Sequence, residues 1–137
     1  MPIDKLIRRF QAADRETRLE ALLDASRKLP PVPDALNAAA DRESHRVTEC
    51  QTPVFLWLER EGDALRLHAE VPRESPTVRG FVALLQRELD GGPIAAAREL
   101  PADLLHLLGL DDALGMLRSQ GLAAVVQRIR RGAARLE

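Results

Sequence analysis

The sequence contains one cysteine, Cys50, and this scarcity rules out several functions. A lone thiol closes no internal disulfide, and there is no C-x-x-C pair to act as a redox centre. A reducing, cytoplasmic setting is therefore expected. Basic residues are not in excess: 20 Lys and Arg face 21 Asp and Glu, for a net charge of -1. That balance argues against a dedicated nucleic-acid binder. No apolar run approaches the ~20 residues of a membrane span. The opening Met1-Pro2-Ile3-Asp4-Lys5-Leu6 carries charges where a signal peptide needs its apolar stretch, so secretion is not expected. Gly91-Gly92 is followed by Pro93, with no lysine placed to reach a phosphate, so a phosphate loop is missing. Internal repeats and low-complexity tracts are missing too.

Apolar residues supply 45% of the 137 positions and charged residues 30%, the balance of an ordinary globular chain. A single domain over 1–137 is expected. A chain of this length buries about two-thirds of its unfolded surface, so it needs neither metal nor disulfide to fold.

The apolar spacing is helical at first. Ile3, Leu6, Ile7 and Phe10 share a face, predicting a helix over 3–13. Asp14 is placed to cap a second helix bearing Leu19, Leu22 and Leu23. That helix should stop near Lys28, because Leu29 precedes Pro30. Pro30, Pro31 and Pro33 form a stiff connector, followed by a helical stretch over 34–41 and a polar loop over 42–44.

The period then changes to two. A short strand is predicted at 46–50, and a clearer one at 54–59 with Val54, Leu56 and Leu58 on one face and Phe55 and Trp57 on the other. With apolar residues on both faces, it reads as a central strand. Glu61-Gly62-Asp63 is turn chemistry, and 64–71 alternates as a third strand. Ser75-Pro76 begins a helix that Gly91-Gly92 ends. Short helices broken at Pro101, Gly109 and Gly115 lead to a last helix over 118–136. Helices, then an antiparallel meander of about three strands, then helices: the class is α+β, the small sheet packed against N- and C-terminal helices.

Cys50 stands where polar loop gives way to strand. Its type allows a small buried hydrophobe or a nucleophilic thiol. Arg46 would lower its pKa and the adjacent Glu49 would raise it, and the sequence alone does not choose. A Cys–His hydrolase built on His45 lacks a third orienting group and an oxyanion hole. A metal site is weaker still, because His45, His68, His106 and Cys50 lack ligand spacing. His68 is expected to be solvated and His106 partly buried. Arg128, Arg131 and Arg135 form a basic stripe that reads as a solvated face.

Four segments, in order, resemble the SufE family of sulfur acceptors in iron–sulfur cluster assembly, with its relative CsdE. Leu29-Pro30-Pro31-Val32-Pro33 is similar to the family's Leu-Pro-Pro-x-Pro. Arg46-Val47-Thr48-Glu49-Cys50-Gln51-Thr52-Pro53-Val54-Phe55-Leu56 is similar to Arg-Val-x-Gly-Cys-Gln-Ser-x-Val-Trp-Leu. Val78-Arg79-Gly80-Phe81 and Arg118-Ser119-Gln120-Gly121-Leu122 match Val-Lys/Arg-Gly-Leu and Arg-x-x-Gly-Leu. Glu49 departs from the family glycine, and Phe55 from tryptophan.

The resemblance implies a sulfur acceptor and activator rather than an independent enzyme. Cys50 would take persulfide sulfur from a PLP-dependent cysteine desulfurase of SufS or CsdA type and pass it to an iron–sulfur scaffold protein. PLP would belong to the partner, and this chain would carry no cofactor or metal of its own. Arg46, Glu49, Gln51, Thr52, Glu74 and Arg118 are the expected docking or loop-shaping residues, with Cys50 shielded at rest. The competing reading is a non-catalytic interaction module with a structural cysteine.

Overall fold

The computed structural model describes residues 2–137. The first helical period forms α1 (Pro2–Ala12), which buries Ile3, Leu6 and Phe10. Helix α2 (Arg15–Arg27) starts at Asp14, whose carboxylate accepts the Thr17 N–H at 2.8 Å. The Thr17 hydroxyl and then this backbone N–H hold the Asp14 carboxyl below its ordinary pKa. The proline connector leads to α3 (Asp34–Asn37), shorter than the 34–41 stretch predicted, and then to a 3-10 turn at Arg42–His45 in place of the expected loop.

Two strands follow, β1 (Phe55–Glu61) and β2 (Ala64–Glu70), paired antiparallel with Leu56 opposite Ala69 and Trp57 opposite His68. The short strand predicted at 46–50 is reduced to one bridge, Arg46 to Phe55. β1 is therefore not central, and groups from outside the sheet bond to each edge of the pair. On the β2 side, Asp90 Oδ1 accepts the Leu67 N–H at 2.8 Å and the Gln86 amide donates to the Leu67 carbonyl at 3.3 Å. Leu65 exchanges backbone bonds with Gly91 and Gly92 there. On the β1 side, His45 Nδ1 donates to the Leu56 carbonyl at 3.0 Å.

Helix α4 (Pro76–Leu89) has Pro76 in its first turn as expected, but Ser75 makes no side-chain cap; its carbonyl accepts the Arg79 N–H. Three short helices, α5 (Ile94–Arg98), α6 (Leu104–Leu107) and α7 (Asp111–Leu114), lead to α8 (Met116–Leu136). Gly91, Gly109 and Gly115 adopt positive φ at the breaks, where a side chain would be strained.

α4 lies along α2 and against β2, while α8 packs on α5 and β1. Val54, Leu56, Leu65 and Leu67 of the sheet region join Phe81, Leu85, Leu122, Val125 and Ile129 in the main core. The opposite face of β1 carries a second cluster: Phe55 and Trp57 pack with Val32 of the connector and Leu36 of α3. Arg42 closes this cluster, its guanidinium 3.8 Å from the Phe55 ring centroid and 2.6 Å from Glu70. Burial alone would raise the Glu70 carboxyl. Hydrogen bonds from Arg42 and Asn37, with the Arg42 charge, more than offset it and hold Glu70 below its ordinary range. Arg79 ties the layers together, donating to the Ser26 carbonyl at the end of α2 (2.7 Å) and to the Val71 carbonyl after β2 (2.5 Å).

Candidate functional site

The loop bearing Cys50 has a fixed stem and a short free tip. At the stem, the Val47 N–H donates to the Val54 carbonyl at 2.8 Å. From α8, Arg128 donates to the Arg46 carbonyl at 3.1 Å and to the Ser44 carbonyl at 2.5 Å. Arg128 is therefore a brace and not part of a solvated stripe, a role its place in the sequence does not reveal. At the tip, the Cys50 N–H returns to the Val47 carbonyl at 3.2 Å, making a turn with Thr48 and Glu49 at its centre. No non-glycine residue among the described residues has positive φ, so the turn accepts Glu49 without the freedom of the family glycine.

This geometry seats Cys50 inward, at 5% exposure. Burial raises the thiol pKa, opposed by a backbone hydrogen bond from Thr52 and by the Arg46 charge. The expected lowering by Arg46 is present but is not the larger effect. Glu49, expected to push upward, is exposed on the turn and accepts the Thr48 hydroxyl at 3.2 Å; desolvation, not its charge, raises the thiol. The thiol rests against Gly121 in the second turn of α8.

A cavity of about 230 Å³ opens beside the thiol, lined by Cys50, Gln51, Thr52, Val78, Leu117 and Arg118. A second of about 220 Å³ shares Thr52, Val78 and Arg118 with it and adds Glu74 and Ser75. Gln51, Thr52, Glu74 and Arg118 are thus gathered around Cys50, whereas Glu49 lines neither cavity and Arg46 acts from the stem. Leu117, in the wall of the first cavity, and its chain neighbour Met116 are 67% and 77% exposed, the large hydrophobic side chains left open among the described residues. Gly115, at positive φ, turns the chain into α8. The helix thus starts before both of them, two residues earlier than the predicted 118–136.

The histidines do not form a catalytic or metal-binding group with Cys50. His45 is committed through both ring nitrogens, to Leu56 and, at 3.4 Å, to Asp41, and its ring stacks on Trp57. His68 is half-buried opposite Trp57, and His106 is exposed rather than partly buried. The Asp111 carboxylate, 2.9 Å away, raises the His106 pKa through its hydrogen bond. Among the described residues, no group of three or more His, Cys, Asp or Glu side chains converges to hold a metal ion. Nor is any helix there long and apolar enough to cross a membrane.

A two-stranded sheet flanked by helices, with one inward-facing thiol on the loop entering the first strand, defines the class of the molecule. Comparison with known proteins then identifies the family. The model for the SufE, Fe-S metabolism associated domain matches residues 4–133. Two SufE-like proteins of Mycobacterium tuberculosis, from strains CDC 1551 / Oshkosh and H37Rv, are each 34% identical over 131 residues, covering 95% of this chain and 90% of theirs. The solution structure of a hypothetical protein from Thermus thermophilus superposes with a TM-score of 0.84 at 32% identity, covering 98% of this chain and 95% of that one. The chain belongs to the SufE family, whose domain is associated with Fe–S metabolism.

Proposed function

We propose that this chain is a single-domain cytoplasmic protein that accepts sulfur on Cys50 from a PLP-dependent cysteine desulfurase of SufS or CsdA type. It stimulates that enzyme by unloading it and delivers the sulfur to an iron–sulfur scaffold protein. The observation that carries this reading is the placement of the only thiol: at the tip of a braced loop, beside a cavity whose wall includes the exposed Leu117, next in the chain to the exposed Met116. A partner surface laid over Met116 and Leu117 would cover the Leu117 wall of that cavity and bring its own sulfur to it.

The chemistry is an exchange with no net redox change. The Cys50 thiolate attacks the terminal sulfur of the partner's persulfide, forming a new S–S bond while the old one breaks. The partner's cysteine leaves as thiolate, and the displaced sulfur now ends the Cys50 persulfide. Rate depends on thiolate fraction and access, as in thiol–disulfide exchange. Both are low in the seated conformation, which suits a protein that should react only when docked. Arg118, exposed at the cavity wall in the first turn of α8, is placed to favour the anion once Cys50 moves outward. A cavity of about 230 Å³ exceeds the ~30 Å³ share of a single water, leaving room for one added sulfur out of bulk solvent.

Incubation with a cysteine desulfurase and L-cysteine, followed by intact mass measurement, should add one sulfur to the wild type and none to Cys50→Ser. Desulfurase turnover should rise only with the wild type. No added mass on either protein would refute the proposal.

The burial of Cys50 supports one competing reading, an interaction module with a structural cysteine. That reading expects Cys50→Ala to stimulate the partner as well as the wild type does.

A further inference from the structure

We infer that Gly121 is the positioning residue that sets the resting state of Cys50: its missing side chain is the seat for the thiol, and filling that seat drives Cys50 into its outward, reactive position. A Cβ built on Gly121 would lie 2.9 Å from Cys50 Sγ, 3.2 Å from its Cα and 3.3 Å from its Cβ. Contacts this close cannot persist, so one partner must move. Gly121 cannot, because it lies within α8, with Leu122, Val125 and Val126 fully buried beyond it. Cys50 can. Its loop is braced at the stem by Arg128 and by the Val47–Val54 bond. Its tip is held by the single turn bond from the Cys50 N–H to the Val47 carbonyl and by the Thr52 backbone bond to the thiol, and it borders open space lined by Gln51, Thr52, Leu117 and Arg118.

The direction of movement carries a chemical consequence. The seat lies against the second turn of α8, where desolvation disfavours the thiolate. The cavity wall includes Leu117 and Arg118 of the first turn, where the Arg118 charge and the unpaired N–H groups of a helix start favour an anion. Leaving the seat thus exposes the sulfur and raises its thiolate fraction together. In the sulfur-acceptor reading, on which the biological meaning of this seat rests, Gly121 makes Cys50 dependent on its partner.

The test needs no partner, so its failure is separable from failure of that reading. Iodoacetamide alkylation of the full chain is followed against pH for wild type, Gly121→Ala and Gly132→Ala. Gly132 is a matched control on the same helix, because its added Cβ would meet the Leu58 side chain at 3.2 Å, away from the thiol. Gly121→Ala should react on the order of tenfold faster at neutral pH, with the midpoint of its rate profile lowered toward that of an ordinary thiol. Gly132→Ala should match the wild type. Wild-type rate and midpoint in Gly121→Ala would overturn the inference. If Gly121→Ala melts too low to assay, the same change is made in the Cys50→Ala background. Removing Sγ should then recover part of the lost melting temperature, and an equal loss in both backgrounds would overturn the inference.

Discussion

Two glycines bring a helix against another element, with different results. Gly80 lets α4 settle onto α2 so closely that a Cβ there would collide with the Leu22 backbone carbonyl. Gly121 lets α8 approach the cysteine loop, where the nearest atom is the Cys50 sulfur. The first contact is backbone against backbone, within the main core, with Leu22 fully buried. The second is backbone against a side chain on a loop tip beside a cavity. The absence of a side chain locks two layers of the fold in one place and seats a movable group in the other. A rigid frame around one movable sulfur is what the proposed sulfur transfer requires.

Three substitutions would break or sharpen this contrast. The largest effect belongs to Gly80→Ala, because neither helix can yield without separating the layers. Overpacking of this kind costs about 1–3 kcal/mol and sometimes more. A clear drop in melting temperature is expected, whereas an unchanged one would mean that the α2–α4 contact is no tighter than the Cys50 seat.

Next is Arg128→Met, which keeps much of the side chain's length and removes both bonds to the loop stem. A side-chain hydrogen bond contributes about 0.5–1.5 kcal/mol net. The effect should be local: faster exchange of the Val47 amide, with the amides of α4 protected as before. Uniformly faster exchange would show instead that Arg128 supports the whole fold.

The smallest effect is expected for Glu49→Gly, which restores the family's residue. Because Glu49 has negative φ and lies outside both cavities, the alkylation rate of Cys50 should change by less than about twofold. A rise comparable to that of Gly121→Ala would mean that Glu49 itself restrains the loop.

Much of this frame was legible in the sequence. The spacing of Ile3, Leu6 and Phe10, the Asp14 cap, the alternation through Trp57 and Leu67 and the apolar face of α8 each depend on neighbours within a few residues. The α+β class follows from their order. The strand predicted at 46–50 keeps only its bridge to Phe55, because the chain turns at Thr48 and Glu49, the Cys50 N–H returning to the Val47 carbonyl.

The site was legible through Cys50 and its segment and, by the family resemblance, through Glu74 and Arg118, which line the cavities beside it. Arg128 reads as one charge in a row, yet it reaches a carbonyl 82 residues away. Gly121 lies within a family-like motif, but only its approach to the sulfur reveals its role. Conversely, Glu49 stood out in the sequence as a departure beside the thiol, and the structure turns it to solvent.

The most direct test of sulfur transfer follows the sulfur atom itself. The chain is incubated with a cysteine desulfurase and heavy-sulfur L-cysteine, blocked with iodoacetamide and digested with trypsin without reductant. The peptide running from Val47 to Arg60 should carry one heavy sulfur, attached through Cys50. Label absent from that peptide while the desulfurase itself is loaded would contradict the role assigned to Cys50.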